Sequence, residues 1–317
     1  MGTFKVLSID GGGIRGLIPA MILQEIERVT HHPISRLFDL IAGTSTGGLI
    51  ACALTVPDKA GHPKISAQEL VHFYEDKGPE IFARSFFHTL ATLGGWSGEK
   101  YPHSPFEREL IHLFDSAALS DAIVPLLIPA YEIERRFPFF FKSHRAKSDS
   151  SYDFPLWQVV RATTAAPTYF TPAKVTSKAG HSYALIDGGT FANNPAMCAY
   201  VEAQATFEQK KEIIVVSLGT GRQETPIPYQ QAKDWGKIGW ALPLLDVMMD
   251  GVSDTVDYQL IQLLGSERYY RFQADLTIAG DDMDDASPLN IQKLKRQAEK
   301  LLETERERFS KLYELFR

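Results

Sequence analysis

Phe38-Asp39-Leu40-Ile41-Ala42 is an apolar run that stops abruptly at Gly43-Thr44-Ser45-Thr46-Gly47-Gly48, and Leu49 to Val56 then reads as a buried helix. A strand that turns directly into a helix through a Gly-x-Ser-x-Gly pattern holds its serine in a strained turn, with the hydroxyl pushed clear of the backbone. Glycines on both sides let neighbouring chain approach closely. Ser45 is therefore the candidate nucleophile, with Gly43, Thr44, Thr46 and Gly47 forming the elbow around it. The pattern also arises by chance, so a glycine-rich turn with an ordinary capping serine competes until the rest of the chain is weighed.

Upstream, Phe4-Lys5-Val6-Leu7-Ser8-Ile9 is a β-type run that ends at Asp10-Gly11-Gly12-Gly13-Ile14-Arg15-Gly16. A helix follows from Leu17 to about Val29, because Ile18, Ile22, Ile26 and Val29 recur at helical spacing while Gln24, Glu25, Glu27 and Arg28 suit its outer face. Gly11, Gly13 and Gly16 satisfy the dinucleotide pattern G-x-G-x-x-G literally. Such a site would place an acid at the far end of the second strand, about 20 residues on, to bind the ribose. Here Asp39 stands at the start of that strand, and Gly43-Thr44-Ser45 occupies its far end. The better reading is an oxyanion hole, since backbone N–H groups at a helix N-terminus face whatever anion sits before them. Gly12 and Gly13 are the candidate donors; Arg15 either adds positive potential or pairs with a local carboxylate.

Composition bounds what such a site serves. The chain has 317 residues, 44% hydrophobic and 23% charged, with a net charge of −6 and a pI near 5.9. That is enough chain for a large α/β core, and the charge balance argues against a nucleic-acid groove. Cys52 and Cys198 are the only cysteines and both lie in apolar, helix-like sequence, so neither a disulfide framework nor a thiolate metal cluster is expected. His31-His32 reads as helix-end surface rather than a ligand pair, and no zinc or calcium pattern is present. The first strand begins at once, without a signal-peptide pattern, and no apolar stretch reaches about 18 residues, so neither secretion nor a membrane span is expected.

Further along, Gln68 to Phe82 and His103 to Phe114 suggest amphipathic helices. Between them, Phe86-Phe87-His88-Thr89-Leu90 through Trp96 reads as a core segment or, alternatively, as a lid or membrane-facing patch; Tyr74, Phe86, Phe87 and Trp96 are candidates for an apolar pocket or its entrance. Val124 to Ile133 and Phe137 to Lys142 look like paired strands, Arg145 to Asp153 like a flexible polar loop, and Leu156 to Ala166 like a small-residue helix ending before Pro167. Tyr183 to Asp187 is a strand ending in an acid and two glycines, Gly188 and Gly189, with Asn193-Asn194-Pro195 opening another helix. A serine hydroxyl needs a base within about 2.6–3.2 Å, and a carboxylate fixed at a strand end can accept its proton directly. Asp187 is that candidate, although Asp-Gly is also an ordinary turn signal. Ser45 and the glycine loop both follow strands, where open α/β sheets bind ligands, so the expected fold is α/β: a mostly parallel central sheet with helices on both faces.

Taken together, Asp10 to Gly16, Gly43-Thr44-Ser45-Thr46-Gly47 and Asp187-Gly188-Gly189, in this order and spacing, resemble the patatin-like phospholipases, a family of Ser–Asp dyad acyl hydrolases. Arg161-Ala162-Thr163, Pro167-Thr168-Tyr169-Phe170 and Val215 to Gly221 extend the resemblance to about Tyr270. It implies a single patatin-like domain over 1–317 with a core of about 4–275; beyond the resemblance, the charged run of about 288–316, with apolar Ile291, Leu294, Leu301, Phe309 and Leu312, reads as a C-terminal helix that packs on the domain or, alternatively, forms a dimer contact. The resemblance further implies Ser45 as nucleophile, Asp187 as base, and Gly11, Gly12, Gly13, Ile14, Arg15 and Gly16 as the oxyanion-hole loop. The implied reaction is hydrolysis of acyl esters, of phospholipase A or lysophospholipase type, through an acyl-serine intermediate and without metal or other cofactor. The cysteine usage fits a cytoplasmic setting, and the resemblance implies a phospholipid or other acyl lipid as substrate with peripheral contact with a membrane surface. Two alternatives stay open: a triad using His144 or His181, and a phosphate-binding module in which Ser45 is a mere hydroxyl donor.

Overall fold

The computed structural model describes residues 2–81, 105–167, 169–207, 212–222, 226–240, 243–280 and 282–317. Within them, eight strands make one sheet: β1 (Thr3–Ile9), β2 (Leu40–Gly43), β3 (Leu126–Glu132), β4 (Phe137–Lys142), β5 (Ala173–Thr176), β6 (Ser182–Asp187), β7 (Glu212–Leu218) and β8 (Tyr269–Phe272). The run β3-β2-β1-β7-β8 is parallel throughout, and β4, β5 and β6 join through antiparallel pairs at the β3 end. The helices that matter for the site are α1 (Leu17–Thr30), α2 (Thr46–Ala53), α3 (Ala67–Ile81), α4 (Pro105–Phe114), α5 (Leu156–Thr163), α6 (Ala196–Glu202), α7 (Pro243–Leu264), α8 (Pro288–Thr304) and α9 (Arg306–Glu314).

Strand alternation sorts the apolar side chains into two cores. Leu7 and Ile9 of β1 join Ile41, Ile128 and Val216 under α1 to α5, α8 and α9. Phe4 and Val6 instead join Leu40, Ala42, Ile213 and Val215 under α6 and α7. A parallel sheet covered on both faces needs strands that are apolar on both sides, which is why these segments read as nearly continuous hydrophobic runs. The mostly parallel α/β fold with helices on both faces is thus the one expected from the sequence. No helix among the described residues is long and apolar enough to cross a membrane.

Two segments depart from the expectations. Residues 145–153 are not an open loop: they form helical turns over Ser143–Ala146 and Ser150–Tyr152. The Asp149 carboxylate accepts from the Ser151 N–H at 2.8 Å, and the buried Asp153 takes Ser120 N–H at 2.9 Å and Lys178 at 2.6 Å. Short aspartate side chains that capture nearby donors fix such turns. The C-terminal helix is also two helices, broken at Glu305 between α8 and α9, and Phe309 of α9 stacks on Phe272 of β8 at 4.0 Å.

Candidate active site

The turn after β2 is shaped by backbone crowding. Ser45 has φ 56° and ψ −122°, a conformation that a residue with a side chain adopts only under constraint, at a cost of about 1–3 kcal/mol. A Cβ on Gly43 would strike the Gly47 carbonyl, and one on Gly47 would strike the Ile9 carbonyl. The turn is then tied to its surroundings: Thr44 N–H donates to Ile9 O at 3.1 Å, and its hydroxyl donates to Ala192 O at 2.7 Å. Ser45 N–H donates to the Thr163 hydroxyl at 3.0 Å, which in turn donates to Pro129 O at 2.7 Å. Thr163, at the end of α5, carries no sequence signature for this role.

Asp187 ends β6, paired with Ala130 of β3. Its N–H donates to Ala165 O at 3.0 Å and its Oδ1 accepts from Gly189 N–H at 2.7 Å. The carboxyl is 5% exposed. Burial pushes its pKa up to about 7, against the opposing pull of hydrogen bonds from Gly189 N–H and the Ser45 hydroxyl. A carboxylate with a pKa near the working pH, in contact with a serine hydroxyl, has the properties of a general base. Gly188 packs so closely on Pro129 that a Cβ would strike its carbonyl, the same carbonyl that Thr163 binds. One strand residue therefore sets the register of both partners.

The glycine loop lies against this pair: an added Cβ on Gly11 would meet the Asn193 side chain and come within 3.2 Å of Ser45 Cβ. Within the loop, most amides are engaged by the fold. Gly11 N–H is already bound to Asn193 O at 3.1 Å, Ile14 N–H to Met283 O at 3.0 Å and Arg15 N–H to Gly12 O at 3.1 Å. Among the described residues, the N–H groups of Gly12 and Gly13 donate to no protein acceptor. Gly16 lies inside the 3-10 turn Gly13–Gly16, and Arg15 Nε reaches Gly12 O at 3.4 Å. Asp10 carries a further restraint, since its carboxylate meets Arg271 at 2.6 Å.

Other candidates fall elsewhere. Tyr74, a candidate for an apolar pocket or its entrance, is fully buried against the Thr46 hydroxyl. Phe86, Phe87 and Trp96 lie outside the described residues. His144 Nε2 pairs with Glu202 at 3.2 Å and His181 sits in the exposed turn between β5 and β6; among the described residues, neither is a recorded partner of Asp187 or Ser45. Asp39 accepts the Lys5 N–H at 2.7 Å at the start of β2, far from the strand end that a ribose carboxylate would need.

An open α/β sheet with a serine on a strained strand–helix turn, a buried carboxyl against its hydroxyl and a glycine loop beside both defines the class of site. The model of the patatin-like phospholipase family matches residues 7–200. The chain is 33% identical to Patatin-like protein 4 of Arabidopsis thaliana, covering 94% of this chain and 83% of that one. It is 35% identical to Patatin-like protein 2 of the same plant, covering 94% and 82%. It is also 33% identical to Probable inactive patatin-like protein 9 of that plant, covering 87% and 76%. This chain belongs to the patatin-like phospholipase family, a family of lipid hydrolases.

Proposed function

We propose that this protein is a serine acyl hydrolase of phospholipase A or lysophospholipase type, acting by a Ser45–Asp187 dyad. What carries the reading is the pairing of a Ser45 held at φ 56° with a buried Asp187, whose pKa burial raises to about 7 against the opposing pull of the Ser45 hydroxyl. Ser45 Oγ attacks the ester carbonyl while its proton passes to Asp187. The tetrahedral oxyanion takes hydrogen bonds from Gly12 and Gly13 N–H, each such donor stabilising it by roughly 3–4 kcal/mol. Collapse breaks the ester C–O bond, and Asp187 returns the proton to the departing alcohol. Water then attacks the acyl-Ser45 carbonyl, Asp187 takes its proton, and collapse releases the fatty acid as that proton restores Ser45. Substrates of this kind sit in lipid aggregates, so the reading includes peripheral contact with a membrane surface.

A fluorophosphonate probe tests the nucleophile directly. Covalent labelling of the unaltered chain, absent in Ser45→Ala, is the expected result. An unlabelled chain that binds inorganic phosphate at the loop would favour the phosphate-binding module instead.

A further inference from the structure

Resting on that hydrolase reading, we propose that the buried Asp10–Arg271 ion pair is a positioning device for the oxyanion loop. Arg271 never meets substrate, yet it sets the aim of the Gly12 and Gly13 N–H groups. Arg271 lies on β8, outside residues 7–200 that the family model matches. Asp10 is the residue through which β1 passes into the loop, and its carboxylate is 2% exposed. One arm of the Arg271 guanidinium donates to Asp10 Oδ2 at 2.6 Å and the other to the Ser217 hydroxyl of β7 at 3.0 Å. The planar fork therefore clamps the exit of β1 to the neighbouring strand, a geometry that an ammonium group cannot reproduce.

Two further observations give the clamp its leverage. Among the described residues, Asp10 Oδ1 has no hydrogen-bond partner and Arg271 alone bonds this carboxylate. The two residues that must present their amides are glycines, whose wide backbone freedom leaves their direction to whatever braces the loop. The other braces act on backbone groups, among them Asp10 N–H on Leu218 O at 3.0 Å, Gly11 N–H on Asn193 O at 3.1 Å, Ile14 N–H on Met283 O at 3.0 Å and the Thr220 hydroxyl on Gly11 O at 2.7 Å. Stability alone does not call for a buried ion pair, since well-packed apolar residues generally serve as well.

The test follows hydrolysis of p-nitrophenyl butyrate, with thermal melting, for the unaltered chain, Ser45→Ala, Arg271→Lys, Arg271→Met, and Asp10→Asn combined with Arg271→Met. Arg271→Met alone should lose both stability and rate, because it strands a buried carboxylate. The double variant removes both members of the pair, leaving only Asp257 without the attraction of Arg271, and should regain much of the melting temperature, yet its kcat should stay down about tenfold or more with KM within about threefold. Arg271→Lys keeps the charge but loses the planar fork that spans Asp10 and Ser217, and should lose about threefold to tenfold in kcat. A double variant with unaltered kcat, or a loss carried wholly by KM, would overturn the proposal. Should the double variant not fold, an unaltered kcat in Arg271→Lys overturns it equally. Activity that survives in Ser45→Ala would instead sink the hydrolase reading itself.

Discussion

The turn at Ser45 and the loop after Asp10 sit at the C-terminal ends of neighbouring strands, yet they are shaped by different means. The turn owes its form first to backbone crowding, with Gly43 meeting Gly47 and Gly47 meeting Ile9, and then to ties with Ile9, Thr163 and Ala192. The loop owes its form to distant chain, namely Asn193, Leu218, Thr220, Arg271 and Met283. A run of glycines becomes specific only when remote groups close around it.

The largest expected effect concerns the carboxyl that serves the turn. In the folded protein the Asp187 pKa is about 7, above its ordinary 3.8, so between those values the folded state holds a proton that the unfolded chain has lost. Stability from this group is fully present below the unfolded pKa and is lost as pH rises through 7. Asp187→Asn should therefore be inactive but more stable at pH 8, by up to roughly 4 kcal/mol, with the gain shrinking as pH falls to 5. Urea unfolding at both pH values checks the sign, and a variant less stable at pH 8 would contradict it.

Next comes a pair of glycine substitutions that sets turn against loop. A Cβ on Gly47 strikes the Ile9 carbonyl and lies 2.8 Å from that of Asp10, both backbone groups at a strand end. Gly47→Ala should cost about 1–3 kcal/mol or more, and no second side-chain change should relieve it. The atoms nearest a Cβ on Gly12 all belong to the Thr220 side chain. Gly12→Ala should accordingly recover folding when combined with Thr220→Ala; melting curves that show the reverse pattern would break the distinction.

The smallest effect tests the tie between turn and sheet. Thr163→Val removes both the acceptor for Ser45 N–H and the donor to Pro129 O, and should cost about 1–3 kcal/mol with a lower kcat. Thr163→Ser should stay close to the unaltered protein in both.

The same contrast explains what could be read in the sequence. Ser45 and Asp187 stood out because each ends an apolar strand against glycines, and that punctuation records local backbone crowding. The sheet was legible because two-sided burial writes itself as unbroken apolar runs. Thr163 was not legible: a threonine in a small-residue helix looks the same whether or not its hydroxyl bridges two strands. Arg271 and Met283 were hidden for a related reason, since their partners lie in a loop more than two hundred residues earlier. The loop itself was visible, but not that the Gly11, Ile14 and Arg15 amides are engaged within the fold.

The measurement that bears most directly on the central claim is fatty-acid release from mixed phospholipid vesicles at pH 8, with a chelator present, for the unaltered chain, Ser45→Ala and Asp187→Asn. The account predicts release by the unaltered chain, falling as pH drops below about 7, where Asp187 takes up its proton. Both variants should be folded and silent. Release that persists in either folded variant would contradict the Ser45–Asp187 dyad.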